Sequence, residues 1–148
     1  DCQITMIDFM ASEEDIIAIL QSDLSNLISD STYPTEGMPH PRVYGTFPRL
    51  IQHFVMKEHA LTLEQAVRKM TALPARALRL RHKGVIAEGM DADLCVFDPA
   101  QLRENGDYRC PCRMASGLDA VLVAGEAAVI HDTYTGAQAG TVIRRDTL

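Results

Sequence analysis

The chain has 148 residues, enough for one domain with its own core, and its 47% apolar and 23% charged residues are an ordinary globular composition. A net charge of −6 without a basic run argues against nucleic acid as a partner. No stretch approaches the ~18 consecutive apolar residues of a membrane span, and "DCQITMIDFM" lacks the layout of a secretory signal.

The chain opens on Asp1 rather than methionine, as a trimmed chain or a piece of something longer would. "QITMIDFM" reads as a strand. Ser12 then caps a helix over "SEEDIIAILQ", with Asp15 at the third helical position. Residues 25–29 read as a second short strand that ends on Asp30, and residues 30–45 as a long loop rich in proline and glycine. In "TFPRLIQHFVMKEHA" the residues Phe47, Leu50, Ile51, Phe54 and Val55 fall on one helical face, with Thr46 as cap and Pro48 in the first turn.

Thr62 and Gln65 form a capping box for "TLEQAVRKM", whose Leu63, Ala66, Val67 and Met70 share a face. Pro74 is expected to break that helix, and "ARALRLRH" to form another turn or two. From Lys83 the texture becomes β-rich, with "KGVIAEGMDADLCVFDP" and "LDAVLVAGEAAVIHDT" punctuated by Gly84, Gly89, Pro99, Gly117 and Gly125. A hairpin around Gly125 follows from the apolar runs on either side of it. The first half thus reads β-α-β-loop-α-α and the second as small and antiparallel, and neither looks complete by itself.

Cys95, in "DLCVF", is expected to be a small buried hydrophobe. Cys110 and Cys112 form an isolated CxC, which reads as two free thiols rather than a zinc site, because zinc usually takes four ligands. That cysteine usage fits a reducing, cytoplasmic setting.

Asp30 sits where parallel α/β folds place catalytic groups, at the C-terminal end of a strand, and could act as base or metal ligand. Taken alone, it reads more simply as a turn or capping aspartate. Arg42, on a loop stiffened by Pro39 and Pro41, suits bidentate binding of a carboxylate, although an isolated arginine there is more simply a surface residue. His40 is a ligand, a base or a solvated side chain on this information, and Arg49 reads as structural. His53, His59, His82 and His131 lack any HxH or HExxH spacing and are not expected to be ligands. Glu13, Glu14, Asp15, Glu58 and Glu64 read as solvated helix faces.

Taken together, the segments resemble the amidohydrolase superfamily. "KGVIAEGMDADLCVFDP" is similar to that superfamily's return from a metal-dependent (β/α)8 barrel into a small β-sandwich. "ISDS", "PHPRVYGTFPR" and "LEQAVRKMTALPARALRL" resemble its N-acyl-D-amino-acid deacylase (D-aminoacylase) branch, and the likeness runs from about Ile4 to about Arg144. The resemblance implies a mixed α/β chain, with residues 1–82 as the C-terminal part of the barrel and 83–148 as part of the sandwich.

It also implies roles. Asp30 matches the aspartate that contacts metal-held water, takes its proton as it attacks the amide carbonyl, and passes it to the leaving amine. Asp30 is also implied as a weak or second-site metal ligand in the full-length protein. Arg42 matches the arginine that binds the substrate's α-carboxylate. The family's HxH pair, bridging cysteine, later histidine ligands and substrate-binding lysine and tyrosine have no counterpart here, and Cys2, Cys110 and Cys112 match none of them.

Zinc is therefore expected in the full-length enzyme, none is expected in this chain, and the chain alone is expected to be inactive. The implied partner is a small N-acyl-D-amino acid. Two rival readings stay open: an amidohydrolase acting on another (cyclic) amide, and a non-catalytic truncated protein that self-associates through its open edges.

Overall fold

The computed structural model describes residues 6–32 and 37–144. Helix α1 covers Glu13–Gln21 and begins as expected, with Ser12 as N-cap and its hydroxyl accepting the Asp15 N–H. Helix α2 covers Arg42–Arg49 and runs directly into a π-helical stretch, Leu50–Val55. Helices α3 (Leu63–Met70) and α4 (Ala72–Ala77) follow, then strands β1 (Leu94–Phe97), β2 (Leu118–Val123), β3 (Glu126–Ile130) and β4 (Thr133–Tyr134). The strands pair antiparallel in the order β1-β2-β3-β4.

The helical elements hold the core. Leu50, Ile51, Phe54 and Val55 are buried on the π stretch, joined by Leu20 of α1, Leu61, Ala66 of α3 and Leu102. Four of the five residues expected on the long helical face are therefore core, while Phe47 stays exposed. The helix starts at Arg42 rather than at a Thr46 cap. Pro41 serves as N-cap, and Thr46 Oγ1 instead donates to the Arg42 carbonyl at 2.8 Å. Pro48, which offers no N–H, lies just ahead of the π stretch, where Met56 N bonds Ile51 O at 2.9 Å across five residues.

Leu102 links the two halves, and the chain next to it is fastened across the helix. Arg49 pairs with Glu104 at 3.2 Å, and the Glu104 N–H donates to Gln52 Oε1 at 2.7 Å. A Cβ at Gly45 would lie 2.5 Å from Glu104 Oε1, so glycine is what lets the strap pass this close.

Helix α3 has the expected capping box between Thr62 and Gln65, but its buried face is rotated from the expected one. Val67 is 37% exposed and Lys69 is 5% exposed. Lysine is tolerated there because all three of its ammonium hydrogens find oxygen: Ser22 O at 2.6 Å, Ser25 O at 3.0 Å and Ser25 Oγ at 3.0 Å. The break after α3 comes at Thr71, ahead of the proline expected to cause it. Pro74 instead occupies the first turn of α4, where a missing N–H leaves no bond unmade.

The two expected N-terminal strands are not formed. Of the first, residues 3–5 lie outside the described residues, and 6–10 are exposed without regular structure. Residues 25–29 keep a strand's alternation, with Ser25, Leu27 and Ser29 half-buried and Asn26 and Ile28 exposed. A strand needs a neighbour to bond, and this segment has none among the described residues. Its Leu27 N–H donates instead to Lys69 O at 3.0 Å.

The expected hairpin is present. Ala124 (φ 51°) and Gly125 (φ 84°) have the paired positive φ of a type I′ turn between β2 and β3. "EGMDADLCVFD" forms a turn and then β1, as expected, with Lys83 bonded to Asp91 and Asp93 and Asp93 Oδ1 accepting the Ala124 N–H at 2.8 Å. Cys95 is exposed rather than buried, because no layer among the described residues covers its face of the sheet. Cys110 and Cys112 are free thiols. No helix among the described residues is long and apolar enough to cross a membrane.

Candidate active site

Asp30 and Arg42 come from segments separated by a proline-rich loop, yet they meet. Arg42 Nη1 lies 3.4 Å from Asp30 Oδ2. Asp30 has φ 47°, a left-handed conformation that aspartate accepts more readily than most residues and that turns the chain at this point. Both side chains reach solvent, Asp30 at 77% exposure and Arg42 at 42%, so the pair contributes at most about 1 kcal/mol to stability. A carboxylate on a guanidinium is also the chemistry by which that arginine would take a substrate carboxylate.

Arg42 is held at both of its backbone polar groups. Its N–H donates to His40 Nδ1 at 3.0 Å, and its carbonyl accepts Thr46 Oγ1 at 2.8 Å and Ser31 Oγ at 3.4 Å. Arg42 therefore stands on the first turn of a helix and not on the loop expected for it. His40 is half-buried, and that burial, reinforced by the Arg42 charge, draws its imidazole below the ordinary value of 6.5. Beyond His40 stands Tyr108, whose hydroxyl is 3.5 Å from Nε2.

Asp30 offers one carboxylate, and a zinc site takes about three protein ligands. The one ligand-type cluster found among the described residues lies elsewhere: Glu13, His53 and Glu58, with ligand atoms within 4.8 Å of one another. His53 bonds Glu13, and Lys57 Nζ sits 2.8 Å from Glu58, so both carboxylates already have partners within the chain. Glu13 and Glu58 are thus partners in a surface ion network rather than merely solvated faces. A groove of about 1200 Å³ beside α4, rimmed by Arg76, Arg79, Arg81 and Lys83, includes neither Asp30 nor Arg42.

Sequence reasoning missed Tyr108, Lys69 and the contacts of His53. All three depend on approaches between distant segments. Only the Lys69 position carried a local signal, since it falls three residues after Ala66 on the same helical face.

The pattern of the amidohydrolase family (Amidohydro_3) matches residues 22–129, and the chain belongs to that family. It is 37% identical over 137 residues to a D-aminoacylase of Alcaligenes xylosoxydans xylosoxydans, a match covering 93% of this chain and 28% of that protein. A D-aminoacylase crystal structure superposes with a TM-score of 0.86 at 38% identity, covering 93% of this chain and 29% of that one. An N-acyl-D-glutamate deacylase of Bordetella bronchiseptica, solved with zinc and a phosphonate mimic of the tetrahedral intermediate, gives 0.75 at 36% identity over 79% of this chain and 24% of its own. The chain thus shares the mixed helix-and-sheet fold of D-aminoacylase while spanning less than a third of its length.

Proposed function

We propose that this chain is the C-terminal part of a zinc-dependent hydrolase that cleaves N-acyl-D-amino acids to a carboxylate and a free D-amino acid. The observation that carries the reading is the Asp30–Arg42 pair, a base and a carboxylate binder 3.4 Å apart in a chain of D-aminoacylase fold. Residues 1–82 are the closing part of a (β/α)8 barrel and 83–148 part of a β-sandwich, a division supported by helices in the first stretch and strands in the second.

In this mechanism Arg42 anchors the α-carboxylate and so fixes the amide relative to Asp30. Asp30 removes a proton as water attacks the carbonyl carbon, then delivers it to the amine as the C–N bond breaks. Asp30 would contribute one carboxylate to a zinc ion held largely by residues beyond these 148, and that ion would supply Lewis-acid polarisation of the carbonyl. Asp30 adds at most one carboxylate to that site, so the isolated chain is inactive. Free thiols at Cys95, Cys110 and Cys112 support a cytoplasmic setting.

The test is hydrolysis of N-acetyl-D- and N-acetyl-L-amino acids by the whole protein. Turnover of the D series, cut at least about 100-fold by Asp30→Asn, is expected. Activity on a cyclic amide alone would overturn the assignment. A non-catalytic, self-associating role has its own support in the exposed apolar residues Val96, Ile130 and Tyr134 of the sheet. A discrete dimer of this chain in sedimentation, with no activity in the whole protein, is the result that favours it.

A further inference from the structure

Arg42 opens α2, and N–H groups in the first turn of a helix have no partner within it. Pro41, at the N-cap, makes no side-chain bond to them. His40 fills that gap, its Nδ1 accepting the Arg42 N–H at 3.0 Å. A ring nitrogen that accepts carries no proton, so the neutral imidazole bears its hydrogen on Nε2. Nε2 faces the Tyr108 hydroxyl at 3.5 Å, and the two rings meet edge-on with centroids 5.3 Å apart. Phe9 also packs edge-on against Tyr108, with centroids 4.9 Å apart. Tyr108 stands in a tight turn in which Asp107 Oδ1 accepts the N–H groups of Arg109 and Cys110 at 2.8 and 2.7 Å.

We propose that His40 and Tyr108 are positioning residues for Arg42: Tyr108 steadies the imidazole, and the imidazole fixes the helix start from which the guanidinium projects. The proposal rests on the reading of Arg42 as the substrate-carboxylate binder. It gives the turn ahead of Cys110 and Cys112 a task, and it separates two kinds of defect. Loss of His40 or Tyr108 loosens substrate binding, whereas loss of Asp30 stops proton transfer.

Protonation of His40 has a defined sign. It turns Nδ1 into a donor, breaks the bond from Arg42 N–H and sets a second positive charge beside the guanidinium. The charged or titratable groups facing His40 are Arg42 on α2 and Tyr108 on its turn, with Asp30 beyond Arg42. Positioning is complete above the ordinary imidazole value of 6.5 and is lost as pH falls through the lower value of the folded state.

The experiment uses the whole protein with N-acetyl-D-leucine as probe, alongside amide hydrogen exchange of the peptide containing Arg42. His40→Ala is expected to raise KM about tenfold with kcat within about twofold, and to speed exchange at Arg42 about tenfold. His40→Asn restores both, because its amide oxygen takes the place of Nδ1, and it removes the acid-side rise in KM seen in the wild type. Tyr108→Ala raises KM about threefold, and Tyr108→Phe less. Unchanged exchange and unchanged KM in His40→Ala, or no recovery in His40→Asn, overturn the proposal. If Arg42→Ala leaves KM unaltered, the carboxylate-binder reading fails instead, and the exchange data still decide whether His40 positions Arg42.

Discussion

The helical and the sheet regions of this chain solve the problem of burial very differently. On the π stretch, Leu50 and Ile51 are at 2% and 1% exposure and share one core cluster with residues of α1, α3 and the strap at Leu102. In the sheet no strand residue is buried, although β2 alone contributes Leu118, Val121, Leu122 and Val123. Hydrogen bonding alone brings four strands into register, whereas the hydrophobic effect needs a second layer. The helical region closes such a layer among the described residues, whereas of the sheet only Phe97 and Leu118 pack against that core.

Substitutions test this contrast. The largest loss is expected from Ile51→Ala, about 2–5 kcal/mol by urea denaturation, against less than about 1 kcal/mol for Val121→Ala. Equal losses at the two positions would mean that both faces of the sheet are covered in solution. Next comes Lys69→Met, which removes the ammonium donor from the Ser25 carbonyl and hydroxyl and from the Ser22 carbonyl, the last still accepting from Ser25. It should cost about 2 kcal/mol and release the Leu27 amide to exchange, and a neutral result would show that water replaces the ammonium. Thr62→Ala removes the cap of α3 and should cost about 1 kcal/mol, with the change in helix content read by circular dichroism.

The smallest effect belongs to the sheet and concerns acid. Asp132 accepts the N–H groups of Gly117 and then Leu118, which draws its carboxyl below the ordinary 3.8. Its contribution is complete above that value and disappears as pH falls through the folded value. The stability gap between wild type and Asp132→Ala should therefore close on acidification toward pH 2. A gap that stays constant with pH would remove Asp132 from the account.

Much of this was legible in the residues themselves. Ser12, the Thr62–Gln65 box, the apolar run from Leu50 to Val55 and the turn at Gly125 are local signals, and local physics decided them. Asp30 and Arg42 read locally as a turn aspartate and a surface arginine, the family resemblance singled them out, and nothing local said that they would touch. The failures share one cause. The segments 6–10 and 25–29 have strand-like composition, and a strand is completed by whichever chain lies beside it. Cys95 looked buried because "DLCVF" is apolar, and its exposure depends on what lies over the sheet. Lys69 reversed a local expectation, since no inspection of α3 alone predicts three oxygens arriving from residues 22 and 25.

The turn at Ala124 and Gly125 has a consequence for the order of events during folding. It joins strands that are neighbours in sequence, and such hairpins close in about 1–10 μs. The core must instead bring Leu102 back to the helix at residues 50–55, a closure across roughly fifty residues with the entropy cost of a long loop. The hairpin, like the helices, is accordingly able to form before that closure. Its register leaves the strands half-buried at best, and the slower docking of Leu102 is the step that joins the strap to the helical core.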